Sequence, residues 1–130
     1  MSLKEQIQHA QYALAEAFCA GDAELAAAHY TDDACLMPDG LPSLHGRAAI
    51  ANFFAGAIAH GIVSARFTTE QVDGDATQAL ETGRCELFAA LPNGERQCVD
   101  DGRYFVAWRS VDGEWRIFRD MFNRYKPAAP

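Results

Sequence analysis

The stretch from Ile50 to Val72, IANFFAGAIAHGIVSARFTTEQV, contains a change of period. Up to Gly61 the apolar residues Ile50, Phe53, Phe54, Ala57 and Ile58 recur at three- and four-residue steps, which is the stripe of one helix face. Beyond Gly61 the spacing falls to two and β-formers take over, so SARFTTEQV (residues 64–72) is predicted to be a strand. Gly61 closes the helix, because glycine accepts the left-handed conformation that ends one.

Toward the N-terminus the helical spacing continues. Leu3, Ile7, Ala10, Leu14 and Phe18 make one helix face, and Gly21 stops it. Asp22 is a good N-cap for a short second helix carrying Leu25, Ala28 and His29, with Glu24 near its positive end. Toward the C-terminus, turn signals at Asp73-Gly74-Asp75, Pro92-Asn93-Gly94 and Asp112-Gly113 separate strand patterns over 76–91, 96–110 and 114–125. With residues 64–72 these four strands form an antiparallel meander. Residues 126–130, KPAAP, read as an unstructured tail. Between the second and third helices, YTDDACLMPDGLPSLHG (30–46) gives a short buried strand at Ala34–Met37, with Asp32 and Asp33 as turn formers before it. The alternating oxygen ligands of a calcium loop are missing, so no metal is expected. Asp39, in the turn Pro38-Asp39-Gly40, is placed at the rim of the sheet as a candidate base.

These elements make an α+β protein, a single domain over residues 1–130, with three N-terminal helices on one face of a long, curled, mostly antiparallel sheet. The inner surface is concave, and it is a pocket wherever side chains do not fill it. A net charge of −7 argues against nucleic acid or an anionic membrane surface as the main partner. No apolar run approaches the roughly 18 residues of a membrane span. No secretion signal is read. The four cysteines (Cys19, Cys35, Cys85 and Cys98) form no C-x-x-C pair or zinc spacing, so a reducing, cytoplasmic location is expected.

Several motifs, in this order and at this spacing, resemble the nuclear transport factor 2-like superfamily: GDAELAAAHYTDDACLMPDG (21–40), HGRAAIANFF (45–54), ETGRCEL (81–87), DGRYFVAW (101–108) and DGEWRIFRDMFN (112–123). Within it the chain is most similar to SnoaL-like and ketosteroid-isomerase-like bacterial proteins of unknown function, over about Gln6 to Tyr125. The resemblance implies a cystatin-like cone and a homodimer formed through the outer face of the sheet. It does not carry over the steroid isomerase machinery of an Asp base, a Tyr and a protonated Asp. The tyrosine position falls on Leu14, and Tyr12 is turned away by about 200° of helix. The base position falls on Pro38, beside Asp39, and the protonated-Asp position falls on Tyr104.

The resemblance points Asp120 inward from the last strand, with Phe122 beside it. The alternative phase of that strand, which a bulge would produce, points Met121 and Asn123 inward instead. Tyr104 shares a strand face with Val106 and Trp108, and Glu81 stands two residues before Gly83. A tyrosine hydroxyl near a buried carboxylate is a candidate acid–base pair. The bland reading is a satisfied network, with Tyr104 and Asp120 bonded to each other or to Arg103, Arg116 or Arg119. His29 and His45 are read as structural. Two functions follow. One is a cofactor-independent enzyme (isomerase, cyclase, dehydratase or hydrolase) acting on a small apolar, cyclic or polyketide-like molecule in the cone. Its candidate catalytic residues are Asp120, Tyr104 and Asp39, and its candidate binding residues are Phe18, Tyr30, Met37, Phe54, Ile58, Glu81, Val106, Trp108, Phe122 and Asn123. The other is a dimeric binding module without chemistry.

Overall fold

A computed structural model describes residues 1–125, so the expected tail at 126–130 lies outside the described residues. Helix α1 (Leu3–Cys19) opens on a reciprocal cap. Ser2 Oγ accepts the Glu5 N–H, and the Glu5 carboxylate accepts the Ser2 N–H, each at 3.1 Å. Its buried face is Ile7, Leu14, Ala17 and Phe18, with one polar member, Gln11. Tyr12 is exposed, as the helical angle requires.

Helix α2 (Ala23–Ala27) is capped by Asp22, whose Oδ1 accepts the Leu25 N–H at 3.0 Å. It is shorter than the sequence suggested: Ala28 and His29 lie beyond it, and Leu25 is half exposed. The reason is tertiary. The His29 carbonyl accepts the Ile117 N–H at 2.9 Å, which draws this segment out of the helix and onto the sheet. Helix α3 (Arg47–Ala59) follows Gly46 and carries buried Ile50, Ala51 and Phe54.

Strand β1 (Tyr30–Met37) is longer than expected. Asp32 and Asp33 belong to the strand rather than to a turn. Both are exposed; Asp32 pairs with Arg47 at 2.5 Å, and Asp33 accepts from the Thr31 hydroxyl at 2.7 Å. The two-residue strand β2 (Leu44–His45) pairs antiparallel with β1. The meander is β3 (Ile62–Gly74), β4 (Gln78–Ala90), β5 (Arg96–Val111) and β6 (Glu114–Arg124). The six strands form one sheet in the order β2-β1-β6-β5-β4-β3. Every pairing is antiparallel except β1 with β6, which is parallel. Register shifts interrupt β3–β4, β4–β5, β5–β6 and β1–β6, and such bulges bend and twist a sheet. Helix α1 lies against β3, α3 lies against β1, and α2 packs on α1 and α3. The concave side of the sheet and the helices enclose the core.

The shift between Ala107 and Trp108 sets the phase of the last strand. Strict alternation from buried Ile117 would turn Arg119, Met121 and Asn123 inward. The irregularity skips one residue, so Asp120 is buried, Phe122 is half buried, and Arg119, Met121 and Asn123 face out. No described helix is long and apolar enough to cross a membrane.

Candidate functional site

The register places one row of inward side chains across the sheet: Leu36 on β1, Asp120 on β6, Val106 on β5 and Glu81 on β4. Adjacent strands lie roughly 4.8 Å apart, so the two carboxylates stand two strands apart with Val106 between them. Each receives a tyrosine hydroxyl. Tyr104 Oη donates to Glu81 Oε2 at 2.5 Å, and Tyr30 Oη donates to Asp120 Oδ2 at 2.6 Å.

Despite this symmetry, the two carboxylates differ. Glu81 is fully buried and accepts four hydrogen bonds: from Gln11 Nε2 (2.8 Å), Thr69 Oγ1 (2.7 Å), Tyr104 Oη (2.5 Å) and Trp108 Nε1 (2.9 Å). A carboxylate offers about four lone-pair sites, so Glu81 has none left for a substrate. It is the anchor of the cone, tying α1, β3, β4 and β5 together. Gly83 makes this geometry accessible: a Cβ there would lie 2.3 Å from Tyr104 Oη and 2.4 Å from the Thr68 carbonyl. A bare strand position lets the Tyr104 ring cross β4 to reach Glu81.

Asp120 is also buried, at 8% exposure, yet Tyr30 is its one partner among the described residues. Among the described residues its Oδ1 takes no hydrogen bond. Burial pushes the Asp120 carboxyl up to about 6; the Tyr30 bond opposes this, and the Glu81 charge adds to it. Burial and the charge of the facing carboxylate raise both tyrosines well above the ordinary phenol value. Neither phenol is therefore a ready proton donor to a third group.

Asp120 opens onto a cavity of about 70 Å3. Phe18, Phe53, Phe54, Phe67 and Phe122 line it together with aliphatic side chains, and Gln11, Tyr30, Tyr104 and Cys85 are the other polar or polarisable members. The Phe18 and Phe54 rings meet edge to face at 5.0 Å, and the half-buried Phe53 and Phe122 rings stand 6.4 Å apart. The room is less than the roughly 300 Å3 at the lower end of ordinary ligand pockets. It is about half of the ~150 Å3 of an engineered cavity that admits benzene.

Of the sequence-predicted residues, Asp120, Tyr104, Phe18, Tyr30, Phe54, Val106 and Phe122 line this cavity. Six do not. Asp39 is exposed, and its Oδ2 accepts the Arg124 N–H at 2.9 Å; it ties the end of β6 to the turn after β1 instead of serving the hollow. Asn123 is on the outer face, where its Oδ1 accepts from Arg103 Nε at 3.2 Å, because the β6 bulge sets the opposite phase. Met37 and Ile58 sit half buried away from the cavity. Trp108 and Glu81 lie behind the wall, bonded to each other. The suggested direct bond between Tyr104 and Asp120, or from either to an arginine, is not made: each finds a different partner. His29 and His45 are outside the cavity, and burial lowers the His29 pKa.

Gln11, Thr69 and Cys85 were missed. Gln11 carried a readable signal, since an amide on an otherwise apolar helix stripe must find a partner. Its Oε1 is buried with no hydrogen-bond partner among the described residues.

A family model described as SnoaL-like domain matches residues 1–119. Solved structures share the fold. One is a function-unknown protein, Rv3472, from Mycobacterium tuberculosis, at 21% identity and TM-score 0.79, covering 95% of this chain and 72% of that one. A nuclear transport factor 2-like protein with a cystatin-like fold from Novosphingobium aromaticivorans aligns at 19% identity and TM-score 0.79, covering 96% of this chain and 83% of that one. Aln2 from a Streptomyces species aligns at 16% identity and TM-score 0.83, covering 94% of this chain and 90% of that one. No curated protein matches the sequence.

Proposed function

The chain belongs to the SnoaL-like domain family, and on that footing we propose that it is a cofactor-independent acid–base enzyme using Asp120 as its general base. The observation that carries this reading is the unpartnered Asp120 Oδ1 in a buried carboxyl that opens onto an apolar hollow. A carboxyl raised to about 6 is ionised at neutral pH and is a stronger base than an exposed one. Tyr30 fixes its orientation and leaves one oxygen free to take a proton. Tyr104 positions the wall through Glu81 rather than donating a proton to the substrate. Proton transfer between Asp120 and a bound molecule needs no added group. At about 70 Å3 the resting room is below that of a benzene-sized cavity, so a single-ring substrate enters only as the half-buried Phe53 and Phe122 rings part.

Elimination from 5-nitrobenzisoxazole tests this role, since it requires a base in an apolar site and no oxyanion donor. The carboxylate takes the ring C–H proton as the N–O bond breaks, and a cyanophenolate leaves. The rate is expected to rise with pH through a midpoint near 6. It is expected to fall about 100-fold or more in Asp120→Asn, and to increase in Phe53→Ala, which widens the hollow. Equal turnover by wild type and Asp120→Asn would remove Asp120 from the chemistry.

The limited volume favours a second reading, a binding module whose Phe rings fill the cone. In either case a single domain and a homodimer are proposed. The dimer would use the outer sheet face, where Leu80, Phe105 and Met121 are about half exposed.

A further inference from the structure

The polar atoms around the hollow have an uneven hydrogen-bonding balance. Tyr30 gives its hydroxyl hydrogen to Asp120, Tyr104 gives its own to Glu81, and Gln11 Nε2 gives one of its two to Glu81. What remains is acceptor capacity: Gln11 Oε1, which is buried without a partner, Asp120 Oδ1, and the lone pairs of both phenol oxygens. Against these four oxygens stand the second Gln11 amide hydrogen and the weak Cys85 thiol donor. Among the described residues, no Lys or Arg lines the hollow. A buried acceptor without a donor is costly, and a ligand hydroxyl would satisfy Gln11 Oε1.

We propose that the hollow, enlarged by parting of the half-buried Phe53 and Phe122 rings, selects a small neutral hydroxyl compound, a single-ring phenol or alcohol, over carbonyl acceptors and anions. A carbonyl oxygen would meet lone pairs, and an anion would face the Asp120 carboxylate with no cation among the described lining residues. The inference rests on the hollow being the ligand site proposed above, and it names the ligand's chemistry. It also gives a physical reason to expect no steroid-isomerase chemistry: that reaction needs donors to a developing oxyanion, and here the phenol donors are spent on carboxylates.

Calorimetric or NMR titration of the full chain at pH 8 with phenol, fluorobenzene, benzaldehyde and benzoate tests this. Phenol is expected to bind about tenfold or more tighter than fluorobenzene and tighter still than benzaldehyde or benzoate. In Gln11→Met its advantage over fluorobenzene should shrink to about threefold or less. The wild-type ratios decide the matter even if that variant does not fold. Fluorobenzene or benzaldehyde binding as well as phenol, benzoate binding better, or none of the four binding would overturn the inference. A phenol preference without elimination from benzisoxazole contradicts the catalytic reading alone. Elimination without a phenol preference contradicts this inference alone.

Discussion

Asp120 and Glu81 share a fold, a row of the sheet and a tyrosine partner each, and they differ in how many hydrogen bonds they accept. Four donors make Glu81 structural; one donor leaves Asp120 under-satisfied in a buried place. That condition costs stability. The folded Asp120 carboxyl holds its proton up to about 6, whereas an ordinary Asp releases it near 3.8. Between these values the folded state binds more protons than the unfolded one, so this group's contribution falls as pH rises through the window. The full loss is on the order of 3 kcal/mol. Asp120→Asn keeps an oxygen for Tyr30 and removes the charge. Urea unfolding should therefore find it more stable than wild type at pH 8, by up to about that amount, and no more stable at pH 4. Equal stabilities at both pH values would contradict the burial of an unpaired carboxylate. Such a stability cost at a candidate catalytic group is the trade expected where activity needs a destabilised site.

At the scale of elements, whatever depended on local spacing was legible. The switch of period at Gly61, the Asp22 cap and the three turn signals place three helices and four strands close to where they stand. The shared face of Tyr104, Val106 and Trp108 was readable from alternation. The inward phase of Asp120 came from resemblance, because alternation alone fails at the bulge near Phe118. Partner choice was not legible. Tyr30 reaches Asp120 across 90 residues only because β1 lies parallel to β6, and nothing in the local pattern of either strand announces a parallel pairing. Asp32 and Asp33 fall in the irregular stretch of that pairing between Tyr30 and Cys35, and they stand as exposed strand residues rather than turn formers. Asp39 was misplaced for a related reason: a turn carboxylate was read as a rim base, while its actual acceptor role toward the Arg124 N–H depends on where β6 ends.

For the whole molecule, the helices and the curved sheet produce a hollow with apolar walls and a polar floor, and an outer sheet face of mixed character. On that outer face Phe105 pairs with Met121, and Leu80 lies opposite Ala107. If this face joins two copies, light scattering finds a dimer for the wild type and a monomer for Phe105→Lys, with the sheet intact by circular dichroism. A monomeric wild type would remove the homodimer. The functional reading needs only the hollow, and its most direct test is the protonation state of one carboxyl. Carbon-13 NMR titration of labelled aspartate, with Asp120→Asn assigning the resonance, should show Asp120 titrating near pH 6. A midpoint near 4, the ordinary value for a hydrated aspartate, would place that carboxyl in water and contradict the buried base.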